Sequence, residues 1–303
     1  YANCAWWPDS SDGPVDVRNC RTQDGMSAVG QLTGIALDAA GNVYVVSSYF
    51  LCYSPFGIFS TNCVNRDGAV WKITPDGKAT VLGIITGNGP LGIAVDAAGN
   101  VYTANYDSNN VSKIIPNIND DVLGISTILG ETGSGPSAIA VDADGNVYTA
   151  NRNSNNVSKI TPNGASSILG TTGEGPSAIA LDAVGHVYTA NALASTMSKI
   201  TPDGFPTTSE TSQTIGGSDP RGIALDAAGN VYMPNFLSNN LTKITPDGTV
   251  TILTEIPSNQ QAQPVGIAID KAGNIYTANY TYGSVTKIID SSIATYPATG
   301  DTS

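Results

Sequence analysis

Charge is scarce in this chain. Only 13% of its 303 residues are charged, about half of the ~25% usual for a globular domain. Cations are scarcer still, with 13 Lys+Arg against 25 Asp+Glu and a formal net charge of -12. A chain so poor in basic residues is a bad match for a phosphate backbone, so nucleic acid is excluded as a partner. No apolar run approaches the ~20 residues of a membrane-spanning helix, which excludes insertion of that kind. No stretch carries a 3.6-residue hydrophobic period, so almost no helix is expected. Histidine occurs once, at His186. A His-based metal site and a Ser/His/Asp triad both need more than that.

Cysteine is confined to the first fifth of the chain, at Cys4, Cys20, Cys52 and Cys63, without a CxxC or CxxCH motif. Zinc-ribbon and c-type haem readings therefore fail. The simplest pairing is Cys4–Cys20 with Cys52–Cys63, although four cysteines allow three connectivities. The sequence starts at Tyr1 with no charged-then-apolar leader, as a mature secreted chain does. The expected location is extracellular or at the cell surface, with the periplasm as a variant.

One phrase recurs six times: GIALDAAGNVY from Gly34, GIAVDAAGNVY from Gly92, AIAVDADGNVY from Ala138, AIALDAVGHVY from Ala178, GIALDAAGNVY from Gly222 and GIAIDKAGNIY from Gly266. The starts lie 58, 46, 40, 44 and 44 residues apart. A second phrase of the type VSKITPNG or LTKITPDG trails each one. A period near 40–45 residues with several short strands per unit is the mark of a β-propeller. In residues 136–170, PSAIAVDA, NVYTAN, VSKITP and SSILG read as four antiparallel strands, joined by turns rich in Asp, Asn and Gly.

The fold class is thus all-β, a six-bladed propeller of four-stranded antiparallel blades over residues 34–303. The long first spacing marks an insertion in blade one, residues 48–67, holding Cys52 and Cys63. A disulfide there would stiffen the loop. Residues 1–33 form either a cap or a strand that closes the ring on the last blade. The tail SSIATYPATG is the other candidate for that closing strand.

At these residues the chain resembles the NHL-repeat family of six-bladed propellers, over about residues 31–290. The ITPDG turn is also similar to that of the streptogramin B lyases. More distant likenesses are the SMP-30-like lactonases and the lyase domain of peptide-amidating enzymes. The lyases rely on His residues at the channel mouth, and the lactonases on a Glu with Asn or Asp around Ca²⁺. This chain has neither a mouth His nor an inner-strand Glu, so the resemblance implies the fold without the catalytic residues.

Within the repeat, Asp38, Asp96, Asp142, Asp182, Asp226 and Asp270 share one turn position, where each is expected to accept N–H groups of its own turn. The second-strand Tyr is expected to pack between blades. The third-strand Lys is expected to lay its stem on the blade face and meet a carboxylate or carbonyl. The set ending the second strand is Ser47, Asn105, Asn151, Asn191, Asn235 and Asn279. These lie beside Pro90, Pro136, Pro176, Pro220 and Pro264 and form the candidate channel-mouth set. Each Asn either bonds its own loop, lines a solvated channel, or offers its carbonyl to an ion or small ligand. No cofactor is implied, Ca²⁺ being the one ion an amide ring would suit. The mouth loops carry Asp107, Glu131, Glu174 and Asp219 against Arg152 and Arg221.

Aromatic residues gather outside the repeats, at Tyr1, Trp6 and Trp7 and at Tyr49, Phe50, Tyr53, Phe56 and Phe59. They are candidates for partner contacts or a cover for the propeller edge. Sequons occur at Asn110, Asn156, Asn240 and Asn279. The expectation is a secreted, non-catalytic propeller that binds a protein or self-associates. The alternative is a Ca²⁺-dependent lactonase- or lyase-like enzyme working through the channel.

Overall fold

The structure is a computed structural model. It describes residues 2–3, 21–22, 27–28, 32–47, 51–52, 67–117, 123–204, 213–255, 262–281 and 283–288. All regular structure in them is β. The chain forms two compact units, Tyr1–Leu169 and Gly170–Ser303. The fourth strand of blade three, Ser166–Thr171, runs across the boundary.

In the first unit, blade one holds Leu32–Leu37, Val43–Ser47, Asp67–Ile73 and Ala79–Asn88. Blade two holds Pro90–Val95, Val101–Asn105, Asn110–Ile115 and Ile125–Glu131. Blade three begins with Pro136–Val141, Val147–Asn151 and Asn156–Ile160. In the second unit, blade four holds Pro176–Leu181, Val187–Asn191, Thr196–Ile200 and a fourth strand of only two residues, Gln213–Thr214. Blade five holds Ala224–Leu225, Val231–Asn235, Asn240–Ile244 and Val250–Glu255. Blade six holds Pro264–Ile269, Ile275–Asn279 and Ser284–Ile288. Strands follow chain order within every blade. These are the blades of a six-bladed β-propeller, four-stranded except for the last, where three strands fall within the described residues.

Two-residue strands at Ala2–Asn3, Arg21–Thr22, Ser27–Ala28 and Leu51–Cys52 make a further small sheet. The backbone before the first repeat therefore pairs with the blade-one insertion, through Ser27 opposite Cys52. Cys4, Cys20 and Cys63, all seven partner-contact candidates from Tyr1 to Phe56, and the tail 289–303 lie outside the described residues. So do any disulfides and the strand that closes the ring.

Alternation builds the core. In blade three, Val147 and Val157 are fully buried, and Ile139 from the first strand joins Ala104 and Val111 of blade two in one apolar cluster. The same pattern recurs in the second unit, where Tyr188 and Met197 of blade four pack with Val231, Met233 and Ile244 of blade five.

Candidate functional site

Each blade carries a polar column at the turn between its first two strands. The Oδ1 of Asp96 accepts the N–H groups of Ala98 and Asn100, and its Oδ2 accepts Asn100 Nδ2 and the Tyr102 hydroxyl. The same arrangement holds at Asp38, Asp142, Asp226 and Asp270. In blade four His186 takes the Asn position, and its Nδ1 lies 2.7 Å from Asp182 Oδ2. The lone histidine is thus held in a turn. Partial burial pushes the Asp96, Asp142 and Asp182 carboxyls up, but the hydrogen bonds from their turns outweigh it and hold them below the usual carboxylate range. Burial, with the charge and hydrogen bond of the neighbouring Asp, raises the Tyr102, Tyr148 and Tyr188 hydroxyls far above their ordinary value.

The third-strand Lys completes the column. In blades two to six its ammonium stands 5.3–5.7 Å over the centre of the second-strand Tyr ring. The sequence pattern suggests a carboxylate or carbonyl for these lysines. The Tyr ring is a partner because Tyr and Lys are directly opposed across the strands, as Tyr148 is to Lys159.

At the opposite end of each blade the second strand ends in the channel-mouth set. The register pairs Leu32 with Ser47 and the prolines with the asparagines: Pro90 with Asn105, Pro136 with Asn151, Pro176 with Asn191 and Pro264 with Asn279. Pro220 and Asn235 form an isolated bridge. Asn105, Asn151, Asn191 and Asn235 are fully buried. Their amides serve their own blade. Asn151 Nδ2 donates to Asn156 Oδ1 and Ser158 Oγ, and Thr149 Oγ1 donates to Asn151 Oδ1. Asn105, Asn191 and Asn279 repeat this with Thr103, Thr189 and Thr277. The loop backbone roofs the amide closely: a Cβ on Gly217 would collide with the Asn235 side chain. The sequons at Asn110, Asn156 and Asn240 belong to the same seal, since their Oδ1 atoms accept the second-strand amide.

Blade five breaks the seal. Where blades two to four read VYTAN and blade six IYTAN, it reads VYMPN. Met233 supplies no hydroxyl, so Asn235 Oδ1 is left buried with no partner. Such an atom costs about 1–3 kcal/mol. Pro234 has no N–H, and in a central strand that breaks a ladder. Pairing with the third strand continues past it, through Pro234 opposite Leu241. Pairing with the first strand stops at Ala224. Residues 221–223 therefore fall out of the regular ladder, although the Arg221 N–H still donates to Pro234 O at 3.2 Å.

The loops beside that break are also unusual. The residue preceding the first-strand proline is a positive-φ glycine in blades two to four, for example Gly135 (φ 66). In blades five and six it is Asp219 (φ 56) and Gln263 (φ 51). Side chains held at positive φ are strained, and such strain gathers at functional sites. Both side chains are used. Arg221 Nε and Nη2 donate to Asp219 Oδ2 at 3.0 and 2.8 Å. Gln263 Oε1 accepts the Thr281 hydroxyl. The Arg221 guanidinium lies 3.7 Å over the Phe236 ring centre. Phe236 in turn meets Tyr280 at 6.1 Å between ring centres. Tyr280 is 71% exposed and Leu237 68% exposed. The loops are tied together, as Asn239 Oδ1 accepts the Gln263 N–H and Ser195 Oγ accepts the Asp219 N–H. Asp219 and Arg221 appear in the sequence among the mouth-loop charges, and Asn235 in the channel-mouth set. Phe236 and Tyr280 are missed, although each directly follows a member of that set. Among the described residues, no three His, Cys, Asp or Glu side chains gather as metal ligands.

Comparison with known proteins places this geometry in context. Residues 58–288 match the model of the virginiamycin B lyase family. No curated protein matches the chain in sequence. Among solved structures, virginiamycin B lyase from Staphylococcus aureus is similar, at 17% identity and a TM-score of 0.63, covering 86% of this chain and 84% of that one. A catalytically inactive His-to-Ala form of that lyase with quinupristin aligns at 18% identity and a TM-score of 0.62, covering 88% and 85%. A chain of a nidogen/laminin complex aligns at 16% identity and a TM-score of 0.59, covering 78% and 84%.

Proposed function

Starting from the premise that the chain belongs to the virginiamycin B lyase family, we propose that it uses the family propeller as a non-catalytic binding scaffold, with its contact surface on the loops of blades five and six. The observation that carries this reading is the concentration of departures from the repeat at one place. An unpaired buried carbonyl, a proline in a central strand and a strained Asp219 all adjoin the exposed Arg221–Phe236–Tyr280 row. Sites that break local rules are where function is expected.

Two further points support it. The inactive form of the Staphylococcus aureus lyase lacks one histidine, while the single histidine of this chain is engaged by Asp182 in a turn. The asparagine carbonyls of blades two, three, four and six already accept a Thr hydroxyl. They do not fit a ring of Ca²⁺ ligands. A secreted location fits a binding role of this kind and is part of the proposal.

The test is turnover. The full chain is incubated with quinupristin, with and without Ca²⁺ and Mg²⁺, and the antibiotic is followed by mass spectrometry. No change in mass or retention is expected. A ring-opened product that disappears in a His186→Ala variant would overturn the reading.

A further inference from the structure

The chemistry of the blade-five row narrows its ligand, resting on the reading that this face binds. Arg221 and Asp219 offset each other's charge, so the row holds no net charge to attract an anion. Two of the five guanidinium N–H groups are spent on Asp219 Oδ2. The remaining N–H groups and Asp219 Oδ1 leave donors and an acceptor side by side. A peptide carbonyl or a carboxylate answers only the donors. A hydroxyl answers both, because it donates and accepts at once. Beside this pair stands an aromatic step. The guanidinium covers Phe236, Phe236 supports Tyr280, and Tyr280 is largely exposed. Such a surface takes a ligand with one apolar face and a rim of hydroxyls.

We propose that the Asp219–Arg221 pair and the Tyr280 ring form a recognition site for the pyranose units of neutral glycans. The sugar's C–H face lies on Tyr280, and vicinal hydroxyls meet the Arg221 N–H groups and Asp219 Oδ1. The positive-φ backbone at Asp219 gives the pair its place, since the glycine found there in blades two to four would carry no carboxylate, and the Arg221 N–H bonded to Pro234 O anchors the second partner. The loops are held by the Asn239 and Ser195 ties, so the site is preorganised for a weak, polar ligand.

The experiment is a titration of the full chain with cellotriose, chitotriose and mannotriose, read by NMR of labelled tyrosine rings. A parallel arm uses a high-mannose glycoprotein and its deglycosylated form. A saturable shift of the Tyr280 ring with one of these sugars is expected, and the arm that binds names the source as free or protein-borne glycan. Tyr280→Ala and Arg221→Gln should each weaken binding by about tenfold or more, with the melting temperature unchanged. The exposed outer-strand variant Ile168→Thr should bind as the parent does. Absence of saturable binding in every arm overturns the glycan assignment, as does binding that both site variants retain. A saturable shift of Tyr280 with a short neutral peptide, when the sugars are silent, overturns it too but leaves the non-catalytic reading standing. Quinupristin turnover strikes that broader reading instead.

Discussion

At the residue scale, the repeat spends its polar side chains on itself. The asparagine that ends each second strand is bonded by residues five and seven positions later, as Asn151 is by Asn156 and Ser158. That spacing is visible in the sequence, but it coincides with the sequon and is indistinguishable from one there. The seal gives a direct prediction. Thr149→Val keeps the shape of the side chain and removes the donor to Asn151 Oδ1. Urea unfolding should show a loss of about 1–3 kcal/mol, the cost of a buried unpaired carbonyl. The Asp–Tyr columns predict a pH profile. The turn carboxyls of Asp38, Asp96, Asp142 and Asp182 are held below their unfolded value. Their contribution is therefore complete above about pH 4 and is lost as pH falls through the folded pKa values. The Tyr102, Tyr148 and Tyr188 hydroxyls are raised. Their contribution is complete below about pH 10 and is lost as pH rises beyond it. Melting temperature should form a plateau between these limits and fall on both sides. A continuous slope across neutral pH would contradict the assignment.

At the scale of the element, strand order and turn positions were legible because each blade repeats one alternating phrase with Asp and Gly at fixed places. Single residues that interrupt the phrase were not. Pro234 is one letter in a repeat that otherwise reads as a normal second strand. Its effect falls on a different segment, residues 221–223, whose own sequence, RGI, resembles that of other first strands. The loops show the same limit. Asp219 and Gln263 look like ordinary turn residues until the positive φ is seen. That strain is measurable: Gln263→Gly loses only an exposed hydrogen bond to Thr281 and relieves a left-handed backbone, which costs roughly 1–2 kcal/mol for a residue with a side chain. Chemical denaturation should show a gain of about 1 kcal/mol. A loss of stability would mean the conformation is not strained.

At the scale of the whole chain, the scarcity of charge follows from how the blades are built. The repeat Asp and Lys are bound into turns and over rings, leaving few charges free for a partner. The chain keeps the propeller of its family, and four second strands, those of blades two, three, four and six, end in a sealed amide. Among the described residues, the opened blade and an exposed aromatic row lie together in the second unit. The aromatic residues of the first segment and of the blade-one insertion drew attention in the sequence because they stand outside the repeats. The row at Phe236 and Tyr280 did not, because it is hidden within them.

Residue-resolved hydrogen exchange of the full chain tests this account most directly. The interrupted ladder of blade five predicts fast exchange at Gly222 and Ile223, with slow exchange at the equivalent amides Gly92 and Ile93, Ala138 and Ile139, and Ala178 and Ile179. Equal protection across these four blades would contradict it, since blade five would then be sealed like the others.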